Sequence, residues 1–377
     1  MSKLVSTEFQ SWDSLYWPEG VPRYVDASLP PPDAVLSGRE GWAYSSGDRS
    51  MGLRDLANLA SSIEAVLGKR GSHCVSIQGS DLAAGLLAEL LVLTGKASVD
   101  LALSADPACS LRAALRPGSG ELSLTEVGAD SWTPPPGSHY LSIAARDGRR
   151  ILYKAEALWG DAVSLSKFLG LEGIAGVAVI GSASGEFELS AAAASLAAGV
   201  RLLYSPSAAP PGQYSAAFVG ASAVGSVDGR LPRGLSFVGV EGPVEAGVTK
   251  RMERDAGAPV LQMYGVSGRG ILFSNPRDFN VHGSAGIAIT NVEAVISEVL
   301  EASWYRGRRM LGPGEEGELA VKAPFIDIDF NAGDPRQRRI QVRVAGKNQP
   351  WLGVGVMGKM DENGYLYPEG RSFLQGV

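Results

Sequence analysis

Side chains equipped for chemistry are few in this chain, and they gather in two stretches. The first is Ala258-Pro-Val-Leu-Gln-Met-Tyr-Gly-Val-Ser-Gly-Arg-Gly270, where a short apolar run, Val260 to Met263, breaks at Gly265 and offers a hydroxyl at Ser267. An apolar run bounded by Pro and Gly fits a central strand of an α/β sheet. Turns at the carboxyl ends of such strands are where ligands sit in open parallel sheets. The second stretch is Leu141 to Arg150, in which Arg146, Arg149 and Arg150 can attract an anion. A plainer reading of it is an exposed basic hairpin. Metal chemistry finds no support. His73, His139 and His282 stand far apart in sequence, and Cys74 and Cys109 lack ligand spacing. Buried free thiols are expected, with no disulfide framework.

Composition narrows the classes further. With 377 residues, 45% of them hydrophobic and 20% charged, the chain can bury a large core and allows two or three domains. A net charge of −6 disfavours a nucleic-acid binder, which needs a basic face. Arg336, Arg338, Arg339 and Arg343 cluster, but Asp334, Gln337 and Gln341 dilute them, as in a solvated loop leading into a strand. The longest Ala/Leu run, Leu189 to Tyr204, is too short and too polar at its ends to span a bilayer. With no signal-peptide pattern after Met1, a cytoplasmic protein without membrane contact is expected.

The elements that must position these residues read as alternating strands and helices. Apolar residues at Leu53, Leu56, Leu59, Ala60, Ile63, Val66 and Leu67 have helical spacing, closed by Gly68. Cys74 to Ile77, a helix from Leu82 to Leu93 capped by Ser80 and ended at Gly95, and Ala97 to Leu103 make one βαβ unit. Further strands are expected at Val177–Ile180, Val200–Tyr204, Ala216–Val219 and Phe237–Val240, with helices at Glu188–Ala198 and Val244–Ala256. This alternation implies a layered, mostly parallel α/β architecture. After residue 284 the pattern shifts to short strands, at Glu318–Val321, Ile340–Val344 and Tyr365–Tyr367, with one helical segment expected at Val292 to Leu300. Asp361-Glu-Asn-Gly364 is expected to form a type I′ hairpin turn. The domain expectation is an α/β core over 1–283, with an inner boundary near 160–205, a small β-rich subdomain over 284–371, and a tail over 372–377.

Taken in order, these motifs resemble the adenylate-forming superfamily of acyl- and aryl-CoA synthetases, luciferase-like ligases and adenylation domains. The resemblance runs from about residue 30 to 371. It rests on Val240-Glu-Gly-Pro-Val244, on Pro259 through Ser267, and on Gly312-Pro-Gly-Glu-Glu-Gly-Glu-Leu-Ala-Val-Lys322. Trp351 through Asp361-Glu-Asn-Gly364-Tyr-Leu-Tyr-Pro-Glu-Gly-Arg371 completes it. What the resemblance implies is the fold of that family's N-terminal core and a two-step reaction. A carboxylate attacks the α-phosphate of ATP, and the acyl-adenylate then passes to a thiol. It also implies that Gly242 and Pro243 back the adenine, that Met263, Tyr264, Gly265 and Ser267 line the nucleotide and acyl pocket, and that Arg371 approaches the hinge.

Other matching positions depart from the family. Leu141 to Arg150 lacks the family's run of hydroxyls and glycines, having only Gly148, so backbone amides cannot cradle phosphate closely. Gly268 stands where a magnesium-binding Glu is expected, and glycine supplies no oxygen ligand. Val356 stands where the ribose-binding Asp belongs. Ser372-Phe373-Leu374 lacks the acidic hinge residue, and the lid domain with its lysine is expected to lie outside this chain. The reading is therefore a ligase-like core that has lost autonomous adenylation, a pseudoenzyme binding an acyl group, a nucleotide-like molecule or a partner protein. Neither a metal nor another cofactor is expected. The alternative is a carboxylic-acid-activating ligase using ATP and magnesium, whose missing groups come from a separate lid subunit. A third reading is a structural partner of an active paralogue.

Overall fold

The computed structural model describes residues 16–370, 372 and 373, apart from positions 38, 40–41, 47–48, 71, 80–81, 102–108, 110, 116–121, 127–131, 133, 136–137, 145–148, 208–209, 211–212, 228 and 300–306. The first described elements are a short helix α1 (Pro32–Leu36) and a hairpin of β1 (Ala43–Ser46) and β2 (Arg49–Gly52). The hairpin runs directly into α2 (Leu53–Arg70). The βαβ unit follows as β3 (Cys74–Gln78), α3 (Leu82–Leu93) and β4 (Ser98–Leu101), with Val75 opposite Val99 in parallel pairing. α3 is Leu- and Ala-rich all round, as a helix enclosed on every side must be, and each of its residues is buried. β5 (Leu111–Leu115), β6 (Leu122–Glu126), β7 (Tyr140–Ala144) and β8 (Arg150–Lys154) complete a sheet of order β6-β5-β3-β4-β7-β8.

Helix α4 (Ala155–Leu169) stops at Gly170, which takes the left-handed conformation that ends helices cheaply. Next come β9 (Val177–Ile180), α5 (Glu186–Ala198), β10 (Leu202–Ser205), β11 (Ala216–Val219) and the short α6 (Val224–Val227). They are followed by β12 (Phe237–Glu241), α7 (Ala246–Ala256), β13 (Val260–Val266), β14 (Gly270–Ser274) and β15 (Ile287–Ala288). The second sheet has the order β15-β14-β13-β12-β11-β9-β10-β1-β2. Its central strands β9 and β11 are apolar throughout because both faces are covered. Val238, Val240 and Val260 pack with Met252 and Ala256 of α7 on one side. Phe237, Leu261 and Met263 join the main core on the other. Helices α3, α4 and α5 fill the space between the two sheets: α3 meets β3, β4 and β7, α5 meets β9, β10 and β11, and α4 meets both β8 and β14.

The third sheet is built from β16 (Glu293–Ser297), β17 (Arg308–Arg309), β18 (Gly317–Lys322), β19 (Arg338–Val344), β20 (Lys347–Met360) and β21 (Leu366–Glu369). Its order is β16-β18-β20-β19-β17, with β21 on β20. The mixed α/β architecture with a β-rich region near residue 377 is the expected one. Three local expectations are corrected. The helix expected at Val292–Leu300 is strand β16, whose residues pair one for one with β18. The Asp361–Gly364 turn is not type I′, since only Gly364 among its residues has a positive φ, of +83°. Instead Asp361 Oδ1 accepts from the amides of Asn363 (2.9 Å) and Tyr365 (3.0 Å), tying the turn together from its first residue. Finally, Cys74 and Cys109 are not free thiols: their Cα atoms lie 5.6 Å apart and their sulfurs form a disulfide. Among the described residues no helix is long and apolar enough to cross a membrane.

Candidate functional site

The second sheet supplies the frame of the site. Strands β10, β9, β11, β12 and β13 run parallel, so their carboxyl ends share one edge. Gly242 and Pro243 follow β12 at this edge, joined by a cis peptide. The Gly242 amide donates to Met263 O at 2.8 Å, which clamps the end of β12 against β13. Gln262 Oε1 holds the next step by accepting from Val244 N at 3.0 Å. Met263 and Tyr264 are buried, and burial raises the Tyr264 hydroxyl to about 12. At Gly265 the pairing of β13 with β14 shifts register. The extra residue of this bulge is Leu272, on β14. Both polar groups of Gly265 are used by residues 107 and 108 positions further on: its amide donates to Ser372 Oγ (2.7 Å) and its carbonyl accepts from Phe373 N (3.2 Å). Gly242, Pro243, Met263, Tyr264 and Gly265 are thus brought together, while Arg371 lies outside the described residues.

Ser267 and Gly268 form the turn from β13 to β14, and a carboxylate comes to them from elsewhere. Glu186, at the start of α5, accepts from Ser267 Oγ (2.8 Å), from Gly268 N (3.0 Å) and from Tyr153 OH of β8 (2.7 Å). Burial pushes Glu186 up, and these three donors pull it back. Gly268 itself has φ +71°, and a Cβ there would stand 2.5 Å from Ala332 Cβ and 2.8 Å from Leu152 O. The place where the sequence lacks a carboxylate is therefore filled by neighbours and has no room for one. Among the described residues no three His, Cys, Asp or Glu side chains gather so as to hold a metal ion. With Glu186 already accepting from three internal donors and no room for a further carboxylate at Gly268, the groups present do not fit a magnesium-held triphosphate at this turn.

Strand order reverses between β9 and β11: β9 leads to β10 on one side, and β11 leads to β12 and β13 on the other. Such a reversal opens a crevice at the carboxyl ends of the two strands. Here Glu188 of α5 fills it. A Cβ on either Gly181 or Gly220, the residues just past β9 and β11, would overlap its carboxyl group. Glu188 Oε1 accepts from Ser182 N at 2.8 Å, Oε2 has no hydrogen-bond partner, and Glu241 stands near enough to repel it. Burial first, and Glu241 second, push Glu188 up to about 8. Burial acts in the same direction on Glu89 of α3 and Asp161 of α4. A carboxyl with a raised folded pKa contributes stability fully below its ordinary 4.5, and the contribution fades as pH climbs through about 8. Glu188→Gln is expected to flatten the fall of stability across that window, by up to about 1.4 kcal/mol per pH unit. Urea melts at a series of pH values check this; an unchanged slope would mean that Glu188 is already ionised in the folded protein.

The remaining sequence candidates fall elsewhere. Arg146 lies outside the described residues. The strands flanking it do form a hairpin, with Tyr140 opposite Lys154 and Ala144 opposite Arg150. Arg150 turns its guanidinium onto the buried Asp100 and onto Ser142, so its anion is internal. Arg149 lies close enough to Arg336 for their charges to repel. Val356 is buried in β20, in the third sheet. His282 bonds Glu253 through Nε2 (3.1 Å) and Thr249 through Nδ1 (3.3 Å), an order of groups that resembles a nucleophile triad. Thr249, however, is fully buried and its Oγ donates to Ala246 O, so it has no access to a substrate. Sequence reasoning missed Glu186, Glu188 and Ser372–Phe373. The first two carried a signal: acidic residues inside an otherwise apolar Ala-rich helix.

The order and pairing of the sheets are those of the fold shared by adenylate-forming acyl-CoA synthetases. Among solved structures, ATP-bound MatB from Rhodopseudomonas palustris superposes with a TM-score of 0.68 at 16% identity, over 92% of this chain and 79% of that one. The long-chain-fatty-acid-CoA ligase FadD1 from Archaeoglobus fulgidus gives 0.68 at 12% identity, over 95% and 87%. The amide bond synthetase McbA from Marinactinospora thermotolerans gives 0.65 at 16%, over 90% and 78%. At such identities the likeness is one of fold. No protein-family model and no curated protein matches the sequence.

Proposed function

We propose that this chain is a degenerate adenylation-type core, which binds an acyl group, a nucleotide-like molecule or a partner protein without forming an adenylate by itself. The observation that carries the reading is the Ser267–Gly268 turn. The carboxylate bonded to it, Glu186, already accepts from three internal donors, and the space beside Gly268 is taken by Ala332 and Leu152. Phosphoryl and adenylyl transfer depend on charge neutralisation and positioning, so a turn that cannot hold a cation removes a large part of the rate. Val356, aliphatic and buried, supports the same reading, since it offers a ribose nothing to bond.

A pyrophosphate-exchange assay with the chain alone, over a panel of carboxylic acids, is the test. No exchange above the protein-free blank is expected. Robust exchange with any acid would end the proposal. Exchange that appears only after a second chain carrying a lid lysine is added would replace it with a split ligase.

A further inference from the structure

The cleft between the ends of β12 and β13 already has an occupant, supplied by the chain itself. Ser372 N donates to Gly242 O (3.2 Å), Ser372 Oγ accepts from Gly265 N (2.7 Å), and Phe373 N donates to Gly265 O (3.2 Å). Three hydrogen bonds therefore bind two residues to the two glycines that close the cleft. The Phe373 ring presses its tip onto Gly265, and any Cβ at that position would overlap it. Both residues are buried, Ser372 at 2% exposure and Phe373 at 5%. Phe373 has φ +52°. A bulky residue rarely takes that conformation, and it persists only where surrounding contacts hold it. The Gly265 amide and carbonyl face the same side as Met263, whose carbonyl accepts from Gly242 N, and past the end of β12 they meet these two residues instead of a strand.

We propose that Ser372–Phe373 is a self-docked strap that holds the strand-end cleft shut, so that a ligand enters only when the strap is released. The ligand class follows from what the strap presents. It is a flat aromatic ring, accommodated because Gly265 has no side chain, with polar edge atoms placed for one amide donor and two carbonyl acceptors. The inference deepens the proposed function, in that it concerns access to the same site. It does not depend on whether adenylation chemistry is retained. No strain in the strap needs to be spent on chemistry: release costs three hydrogen bonds and one buried ring, and an incoming ring restores the same contacts.

AMP is the probe, titrated by calorimetry into the wild type and into Phe373→Ala, with amide hydrogen exchange followed at Ser372 and Phe373. Phe373→Ala is expected to bind AMP at least about tenfold more tightly, because apparent affinity scales with the fraction of chains whose site is open. In the wild type, AMP is expected to speed exchange at Ser372 and Phe373. Gly265→Ala, whose methyl group would overlap the ring, is expected to speed exchange there without any ligand, and it serves if Phe373→Ala does not fold. Equal AMP affinity in the two proteins, no binding in a folded Phe373→Ala, or slow exchange in Gly265→Ala would each overturn the strap. Pyrophosphate exchange, run on the same samples, reads the proposed function separately. Its appearance in Phe373→Ala would end that reading while leaving the strap intact.

Discussion

Gly268→Glu is expected to destabilise the protein by about 4 kcal/mol and to leave it unable to exchange pyrophosphate, although the substitution supplies the carboxylate that the family resemblance calls for. Three costs combine. Gly268 sits at φ +71°, where an L side chain costs about 1–2 kcal/mol. Its Cβ would stand 2.5 Å from Ala332 Cβ and 2.8 Å from the Leu152 carbonyl, and overpacking of this kind typically costs about 1–3 kcal/mol. The new carboxylate would also lie beside the carboxylate of Glu186 in a buried turn, where like charges repel. Urea denaturation of the purified variant measures the sum. A variant within about 1 kcal/mol of the wild type, binding magnesium, would show that the turn keeps room for a cation after all.

Glu186→Ala is expected to cost about 3–5 kcal/mol, since it strands three buried donors at once: Tyr153 OH, Ser267 Oγ and the Gly268 amide. The carboxylate joins α5 to β8 and to the β13–β14 turn, so its loss loosens elements from both large sheets. Glu186→Gln keeps one accepting oxygen and turns an amide NH2 towards groups that are themselves donors. Its expected cost is about 1–3 kcal/mol, below that of the Ala variant. The order of the two variants in urea melts is the informative result. Equal and small losses would mean that water takes over the carboxylate's partners and that the turn stands without it.

Much of the fold was legible in local pattern. The apolar period of Leu53–Leu67, the all-apolar α3 between two short strands, and the buried β9 and β13 each carry their identity in a dozen residues or fewer. β16 was misread because Val292 to Leu300 has apolar residues compatible with either period. What decides it is the partner strand β18, some 20 residues away. The Cys74–Cys109 pair was illegible for a similar reason: a separation of 35 residues says nothing about which ends of which strands will meet. The site shows the contrast most clearly. Tyr264, Gly265 and Ser267 announce a strand-end turn on their own, whereas Glu186 reaches that turn across 81 residues and Ser372 reaches Gly265 across 107. Contacts of that span depend on sheet order, and sheet order is a property of the whole chain.

Helices α3, α4 and α5 are walled in on two sides, with 12 of 12 residues buried in α3 and 11 of 13 in α5. Neither large sheet can therefore be peeled away without drenching those helices in water. The surface of α3, Leu and Ala on every side apart from Glu89, has no polar face with which to survive such exposure, so the two sheets have a common fate. The two large sheets are therefore expected to unfold together rather than one before the other, which a single transition followed by amide hydrogen exchange in both would show.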